Sequence, residues 1–256
     1  MAGEGRIDAF LVCGGKYHDF DFARLRLLQL LAEDERVRVK VAQHFHDVDL
    51  ITASSFLVTY TCDVRPSEPE QRAIRQWVES GGRWLALHGT NCALDPPAAV
   101  GEGVYETPRV FPLWVDTLGS QFLSHPSMAP YEVTVAPGAD GDALIAGIGA
   151  FKSGHEELYL MDVGPDIVPL LETRWSGRTR GFAEADWPDD DPRPVLYRRA
   201  LGHGEVVYFT LGHCRGHWDM DAPPHDGARY PEVHRGSWEV PQFIEILRRG
   251  IAWGTS

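Results

Sequence analysis

Three histidines in this sequence each follow an apolar run of the kind that forms a buried strand. They are His18, His88 and His213. An imidazole can transfer a proton near neutral pH, and it can also bind a metal ion. Parallel strands present their carboxyl ends at one edge of a sheet, where ligands bind in open α/β folds. The sequence therefore predicts one cleft that holds all three imidazoles within roughly 15 Å of one another, because neighbouring strands lie about 5 Å apart.

Small polar residues accompany two of these histidines. Asp19 follows His18 near the start of a predicted helix, and Thr90 and Asn91 follow His88. Helix N-termini favour anions and developing oxyanions, so these positions are suited to contact a polar substrate. A purely structural, hydrogen-bonded role stays open for each histidine taken singly.

The stretch LALHGTNCAL, residues 85–94, contains two candidates for a reactive side chain, His88 and Cys92. A nucleophile elbow places the reactive residue on the tight turn itself, between small neighbours. When this pattern is aligned on residues 86–90, the presented residue is His88. Cys92 is predicted to lie one turn into a following helix and away from the rim, where a thiol packs as a small hydrophobe. His-Cys-Arg at residues 213–215, in place of His-x-Glu, also argues against an amidotransferase triad.

The elements that would position these residues alternate between strand and helix periods in the first half of the chain. The predicted strands there are residues 7–12, 37–42, 55–60 and 83–88, and the predicted helices are residues 22–32 and 69–80. Such alternation is typical of a parallel sheet covered on both faces. The second half predicts a loop at 95–110, a helix at 112–123, strands at 131–136, 155–161 and 167–175, a hairpin within 195–213 and a closing amphipathic helix at 239–253. We therefore expect a single α/β domain over residues 1–256.

Composition limits the classes of function that the chain can have. Its 256 residues are enough for one large α/β domain, and 43% of them are hydrophobic. The formal net charge of −13 argues against a nucleic-acid partner or an anionic membrane surface. The start of the chain has the pattern of neither a secretory signal nor a membrane span. Four cysteines without paired spacing favour reduced thiols and hence a cytoplasmic protein.

Several motifs, taken in order, resemble those of the ThuA family of trehalose-utilisation-like proteins. They are GGKYHDFD near the N-terminus, WVESGGRWLALHGTN, FLSHP at 122–126, HEELY at 155–159, and YFTLGH followed by a helix ending RRGIAW. The resemblance implies a flavodoxin-like three-layer sandwich with a mainly parallel central sheet, like that of class I glutamine amidotransferases but without their cysteine nucleophile. It also implies catabolism of trehalose, another glycoside or a 3-keto sugar made by a partner sugar dehydrogenase.

The resemblance carries a set of polar positions onto this sequence: His18, Asp19, His88, Asn91, His125, Glu157, Tyr159 and His213. His125 precedes a proline, which favours an extended loop. If residues 155–161 form a strand, Glu156 and Glu157 lie on opposite faces, and the resemblance favours Glu157 as the one in the cleft. Tyr159 shares the face of Glu157, and a Glu156→Gln variant would then behave almost like the wild type. A solvated strand edge is the alternative.

A long polar segment, residues 214–238, separates His213 from the closing helix, where the resemblance leads us to expect a short connection. It contains further potential ligands: His217, Asp219, Asp221, His225, Asp226 and His234. One interpretation is a polar loop, and the other is a lid that shapes the pocket or adds metal ligands. His18, His88 and His213 are the candidate metal ligands from the strand ends. Imidazole and carboxylate suit zinc, nickel or manganese as a divalent cofactor, although the sequence has no compact motif such as His-Glu-x-x-His.

The leading hypothesis is an enzyme that acts on an oxidised sugar or glycoside by proton transfer. Removal of a proton next to a ketone needs a base and a group that stabilises the oxyanion, and His88, Glu157 and His213 are the candidates. The other polar positions are assigned to substrate binding: His18, Asp19, Thr90, Asn91, His125 and Tyr159. Hydrolysis, elimination and isomerisation all stay open. The alternatives are a non-catalytic sugar-binding or accessory protein and an amidotransferase-like hydrolase. The expected partner is a small-molecule sugar, and assembly into a homo-oligomer stays open.

We predict that His88→Ala keeps the fold and loses function, whereas Cys92→Ser keeps most of its activity. Removing a catalytic acid or base costs about a hundredfold or more in rate. Exchanging a buried thiol for a hydroxyl costs mainly stability, on the order of one or two kcal/mol. Turnover of 3-keto glycosides and the melting temperature of both variants measure the two effects. A folded but inactive Cys92→Ser beside an active His88→Ala would restore the cysteine nucleophile.

Overall fold

The computed structural model describes residues 5–96, 103–219 and 232–256. Its strands are β1 (Ile7–Gly15), β2 (Val37–Ala42), β3 (Phe56–Cys62), β4 (Arg83–Leu87), β5 (Ser120–Ser124), β6 (Glu132–Val135), β7 (Phe151–Lys152), β8 (Leu160–Val163), β9 (Val168–Arg174), β10 (Gly177–Arg178), β11 (Asp186–Trp187), β12 (Pro192–Leu201) and β13 (Gly204–Phe209). Its helices are α1 (Phe20–Leu31), α2 (Val48–Thr52), α3 (Glu68–Glu79), α4 (Pro112–Leu118) and α5 (Pro241–Gly254). Within the three described ranges, no helix combines the length and the apolar composition needed to cross a bilayer.

A nine-stranded sheet forms the middle of the fold, in the order β2-β1-β3-β4-β13-β12-β9-β6-β7. Every pair from β2 to β13 in this order is parallel, and the pairs from β13 to β7 are antiparallel. The strand order reverses beside β1, because β2 and β3 lie on its two sides. Such a reversal opens a crevice at the carboxyl ends of the strands. The prediction of an α/β fold built on parallel central strands is confirmed.

Both faces of the sheet are covered, which explains why its central strands read as continuous apolar runs. Leu11 of β1 lies in a core cluster with Leu27 of α1 and Leu247 of α5. Its neighbour Phe10 points to the opposite face and lies in a second cluster with Ile74 of α3. The strand alternates between the two cores, so the sheet is the middle layer of three.

Two helices begin at side-chain caps that the sequence carries. The backbone N–H of Phe22 donates a hydrogen bond of 3.0 Å to Asp19 at the start of α1. Ser67 and Glu70 form a capping box at the start of α3. Both caps satisfy N–H groups that have no partner within the helix. Because the capping residue Asp19 directly follows His18, this cap also holds the loop at the carboxyl end of β1.

The predicted helix at 112–123 is wrong in its second half. α4 ends at Leu118, and Gly119 follows with a φ of +87°, a left-handed conformation that glycine adopts readily. The next five residues form β5, which pairs with β8 in a separate two-stranded sheet. The glycine therefore converts a continuous apolar pattern into a helix followed by a strand.

The predicted strand at 155–161 is wrong over most of its length. β8 begins at Leu160, and Glu156 makes an isolated bridge with Ala129. The simple alternation of strand faces therefore does not apply to Glu156 and Glu157. Both side chains are buried, so the alternative of a solvated strand edge is also wrong.

Candidate active site

The three predicted histidines meet at the carboxyl ends of the parallel strands. His18 lies between β1 and α1, His88 directly follows β4, and His213 follows β13. Glu157 reaches the same place from the loop before β8. One nitrogen of each imidazole and one oxygen of Glu157 all lie within 4.8 Å of one another. We call these four buried side chains the His–Glu cluster.

The carboxylate of Glu157 lies among the imidazoles of the His–Glu cluster. Its Oε2 is 3.5 Å from Nε2 of His88 and 3.8 Å from Nε2 of His18. Its Oε1 is 3.2 Å from Nδ1 of His213. The two Nε2 atoms of His18 and His88 are 2.9 Å apart. One acidic group therefore contacts three imidazoles that come from three separate strand ends.

His88 occupies the turn at the end of β4 with an unusual backbone conformation. Its φ is +45°, which non-glycine residues adopt rarely and which is concentrated at functional sites. The hydroxyl of Tyr208 donates to the carbonyl of His88, and Nδ1 of the ring lies 2.8 Å from the carbonyl oxygen of Thr210. A Cβ at Gly89 would lie 2.6 Å from the carbonyl oxygen of Thr61, so glycine is needed there. These contacts hold His88 on the turn where the elbow pattern placed it, but the imidazole is buried and does not line the neighbouring cavity, contrary to the expected presentation at the rim.

Burial and mutual charge set the protonation of the His–Glu cluster. Burial favours the neutral form of Glu157, but His125, His213 and His18 outweigh it and hold the pKa well below its usual range. Burial also opposes a charge on His18, yet Cys62 and Glu157 raise its pKa to about 10. Burial lowers the pKa of His213 to about 3. The cluster thus combines an ionised carboxylate with a charged and a neutral imidazole.

Three further polar side chains surround the cluster. The hydroxyl of Tyr159 is 3.2 Å from Nε2 of His88. Nε2 of His125 and Nη2 of Arg215 lie 3.6 Å and 3.5 Å from Oε1 of Glu157. Tyr159, His125 and Arg215 all line the same cavity. The predicted residues Tyr159 and His125 are therefore placed to contact a ligand that reaches Glu157.

A cavity of about 240 Å³ opens from His18 and Glu157 and has a mainly apolar lining. Four rings form one side of it, and we call them the aromatic wall: Tyr17, Tyr105, Phe182 and Phe122. Neighbouring ring centroids along this wall are 6.0, 6.0 and 5.8 Å apart. The cavity therefore has a polar floor and an aromatic side.

The aromatic wall contains residues that sequence reasoning missed. The backbone N–H of Tyr105 donates to the carbonyl of Gly181, and that of Ala183 donates to the carbonyl of Tyr105. These bonds join two irregular loops and place Phe182 and Arg180 at the cavity. Neither loop has a periodic pattern or a motif, so the sequence contains no signal for this pairing.

Cys92 does not lie in a helix away from the rim, as the sequence predicted. A 3₁₀ turn, His88–Asn91, directly follows β4, and Cys92 is extended and lines the cavity beside Cys62. A hydrogen bond from Cys92 and the nearby His18 lower the pKa of Cys62 to about 6, against the effect of burial. Burial raises the pKa of Cys92 well above its usual range. The more acidic of the two thiols is therefore Cys62, which the sequence did not single out.

Three residues that the sequence assigned to substrate binding do not line the cavity. Asp19 caps α1 and pairs with Nη1 of Arg235 at 2.9 Å. The hydroxyl of Thr90 donates to the carbonyl at the end of β4, and the amide of Asn91 donates to Oγ of Ser120 at 2.8 Å. Their hydrogen bonds support the loops that carry His18 and His88, and the substrate-binding assignment gains no geometric support.

The polar segment 214–238 is described at its two ends. Asp221, His225 and Asp226 lie outside the described residues, so the lid interpretation stays a prediction. Among its described residues, His234 packs edge-on near His213, with ring centroids 5.9 Å apart. Asp219 accepts a hydrogen bond from the backbone N–H of Gly216, at the beginning of the segment.

Comparisons with known proteins agree with the fold. The sequence profile of the ThuA family, described as trehalose utilisation, matches residues 10–223. A ThuA-like protein from Parabacteroides merdae is 17% identical, with a TM-score of 0.61 over 98% of this chain and 90% of the other. A ThuA-like protein from Bacteroides uniformis is 14% identical, with a TM-score of 0.65 over 99% and 93%. A cytoplasmic protein from Salmonella typhimurium LT2 is 12% identical, with a TM-score of 0.50 over 97% of both chains. A search of curated proteins finds no significant sequence match.

Glu156 supports the loop that carries His213. Its Oε1 accepts hydrogen bonds from the backbone N–H groups of Gly212 and Ser237, at 2.9 and 2.7 Å. Its Oε2 accepts a third, of 3.0 Å, from the N–H of His213. Burial raises the pKa of this carboxyl, against the effect of these donors. The reason for expecting a nearly neutral Glu156→Gln exchange was therefore wrong.

We predict that Glu156→Gln lowers the free energy of unfolding by about 1–3 kcal/mol, the usual cost of an unsatisfied buried donor. The new NH₂ group would face one of three backbone N–H donors and could not accept from it. Urea unfolding measures the change, with Glu35→Gln at an exposed position as the control that stays at the wild-type value. Equal stability of the two variants would contradict the role of Glu156.

Proposed function

Because the chain belongs to the ThuA family, we propose that it is an enzyme of carbohydrate metabolism that acts on an oxidised sugar. The observation that carries this proposal is the His–Glu cluster at the floor of a small-molecule cavity. Titratable groups that are buried together, with strongly shifted pKa values, are concentrated at sites of chemistry. We place the reaction in the cytoplasm, in keeping with four buried free thiols.

The reaction that fits these groups is proton transfer at the carbon next to a ketone. A base takes the proton from that carbon, and the bonding electron pair moves to the keto oxygen, which becomes an enolate oxyanion. Glu157 is ionised and close to the cavity, so it is suited to accept the proton. His88 and His213 contact Glu157 but do not line the cavity, so they would return the proton through that carboxylate rather than touch the substrate. Return of the proton to the former keto carbon gives the isomeric ketone when the proton of the neighbouring hydroxyl also moves to the former keto oxygen. In elimination, the enolate re-forms the ketone and a double bond as the group on the next carbon leaves with its bonding electron pair and takes up a proton.

The shape and chemistry of the cavity support a sugar as the ligand. Sugar rings have apolar faces of C–H groups and polar edges of hydroxyls. The aromatic wall offers flat apolar surface for such a face, while Glu157, His125 and Tyr159 offer hydrogen-bonding groups for the edge. A dehydrogenase that oxidises a sugar hydroxyl would supply the ketone, and it is the class of partner enzyme that this reaction needs.

The two alternative functions differ from this one in what they require of the site. An amidotransferase-like hydrolase needs its nucleophile on the turn after β4, and His88 occupies that turn. A sugar-binding accessory protein needs the aromatic wall but has no use for a carboxylate buried among three imidazoles. Proton transfer by the His–Glu cluster on a keto sugar therefore distinguishes the proposed function from both alternatives.

We predict that the wild-type chain exchanges the proton next to the ketone of a 3-keto glucoside for deuterium in D₂O, and that Glu157→Gln slows this exchange by at least about a hundredfold. The amide keeps the size of the side chain but cannot accept the proton. Proton NMR of the substrate measures the exchange, and Glu35→Gln serves as the matched control at wild-type rate. Binding of keto sugars without any exchange by the wild type would favour the accessory protein.

A further inference from the structure

We propose that the His–Glu cluster binds one divalent transition-metal ion through His18, His88, His213 and Glu157. This goes beyond the proposed sugar reaction, because the ligand set is a property of the four side chains whichever small molecule fills the cavity. The proposal follows from how hydrogen bonds orient the rings, from the separations of the donor atoms and from the types of donor present.

Hydrogen bonds behind the cluster direct two imidazole lone pairs toward one point. Nδ1 of His18 lies 3.1 Å from the carbonyl oxygen of Lys16, and Nδ1 of His88 lies 2.8 Å from that of Thr210. A carbonyl oxygen can only accept, so each Nδ1 carries a proton, and Nε2 is the atom of each ring that is left for a metal ion or a second proton. These two Nε2 atoms are 2.9 Å apart. At this distance the two nitrogens need a positive charge between them, which is a proton in the ion-free cluster and the metal ion when it is bound. Backbone carbonyls behind the rings are the usual support of metal-binding histidines.

His213 supplies a third nitrogen. Its side chain is fully buried, and within the described part of the chain neither ring nitrogen has a hydrogen-bond partner. Nδ1 lies 3.2 Å from Oε1 of Glu157 but outside the geometry of a hydrogen bond. A buried imidazole is costly when both nitrogens lack partners. Coordination of an ion by Nδ1 would satisfy this ring and use the negative charge of Glu157.

The separations of the donor atoms fit a single ion. Zinc binds nitrogen at about 2.0–2.1 Å, so two ligand atoms on a tetrahedral ion lie about 3.4 Å apart. The contacts among Nε2 of His18, Nε2 of His88 and Oε2 of Glu157 are 2.9, 3.5 and 3.8 Å, and Nδ1 of His213 lies 3.2 Å from the other oxygen of Glu157. One ligand atom from each of the four residues lies within 4.8 Å of all the others. The four donors are therefore close enough for one ion to bind them all after a small contraction of the widest pair.

The donor types select the class of ion. Three imidazoles with one carboxylate suit zinc, nickel, iron or manganese, whereas magnesium and calcium prefer sites built of oxygen alone. His18 and Glu157 line the cavity, so an ion between them would be open to a ligand on that side. There it would supply a Lewis acid for a keto or hydroxyl oxygen. With the ion bound, Glu157 would be a ligand rather than the base, and the ion would take over stabilisation of the oxyanion. His125 and Tyr159, which line the cavity, would be the unligated groups left to move a proton.

The test uses the full chain after treatment with a chelator, titrated with Co²⁺ as a spectroscopic probe and with Zn²⁺ in competition. We expect one equivalent of Co²⁺ per chain, with visible d–d bands and no thiolate charge-transfer band, and full displacement by Zn²⁺. His213→Ala and Glu157→Gln should each weaken binding by at least about a hundredfold, since loss of a group that merely orients a ligand already costs 10–100-fold. Circular dichroism identifies any variant that fails to fold. If one of these two variants is unfolded, the Co²⁺ affinity of the other tests the proposal.

Two histidines outside the ligand set serve as controls. His46 is exposed and stacks on His44, with ring centroids 4.1 Å apart, so His46→Ala removes the most obvious surface site. His125→Gln changes an imidazole that lies near Glu157 without belonging to the cluster. Both variants should bind Co²⁺ within about threefold of the wild type, the usual scatter of single-site effects.

Three results would overturn the proposal. The first is that the wild type does not bind Co²⁺ stoichiometrically. The second is that His213→Ala and Glu157→Gln bind Co²⁺ as the wild type does, and the third is that His46→Ala alone loses the Co²⁺ signal. A thiolate charge-transfer band would also overturn it, because Cys62 would then replace one of the four ligands. The sugar reaction is judged separately. If the wild type binds no Co²⁺ but still exchanges deuterium in the presence of chelator, only the metal site is contradicted. If it binds Co²⁺ but exchanges deuterium on no keto sugar, only the proposed function is contradicted.

Discussion

The burial of one carboxylate, that of Glu157, constrains the structure around it. A carboxylate removed from water stays ionised only where donors and positive charge surround it. Here the surrounding groups are four imidazoles, those of His18, His88, His213 and His125, and the guanidinium of Arg215. They come from segments far apart in sequence, so the environment exists only after the sheet has formed. The parallel strands β1, β4 and β13 meet this requirement because their carboxyl ends share one edge.

The adjacent residues Glu156 and Glu157 have different roles at this edge of the sheet. Glu156 is used entirely for structure, because its two oxygens accept three backbone N–H groups beside His213. Glu157 turns the other way, toward the imidazoles and the cavity. The rigid turn at His88 completes the arrangement, since its carbonyl and its Nδ1 are both fixed by neighbouring strands and loops. The cluster is therefore held by main-chain hydrogen bonds, which cannot rearrange without disturbing the sheet.

The sequence predicted the parts of this fold that depend on local pattern. Apolar runs and helical spacing identified β1, β3, β4 and α3, and the rule for strand ends brought His18, His88 and His213 to one cleft. Pattern failed where one residue changed the path of the chain, as Gly119 does by ending α4. Glu157 lines the cavity and Glu156 does not, as expected, but the expectation came from family resemblance, because the strand alternation used to separate the two does not exist. The wall residues Tyr105 and Phe182 could not be predicted, because a pairing between two irregular loops produces no periodic pattern in the sequence.

The polar floor of the cavity and the outer part of the aromatic wall are encoded independently. The floor depends on the central sheet, whose strand ends carry the imidazoles. Tyr105 and Phe182 depend on two backbone hydrogen bonds between Tyr105 and the segment at 181–183, outside that sheet. A change of ring size or loop length at these two residues therefore costs the core little stability and leaves the chemistry of the floor in place. Such a division lets a single reaction be passed from one ligand to another during evolution, by drift in surface loops rather than by redesign of the reacting groups.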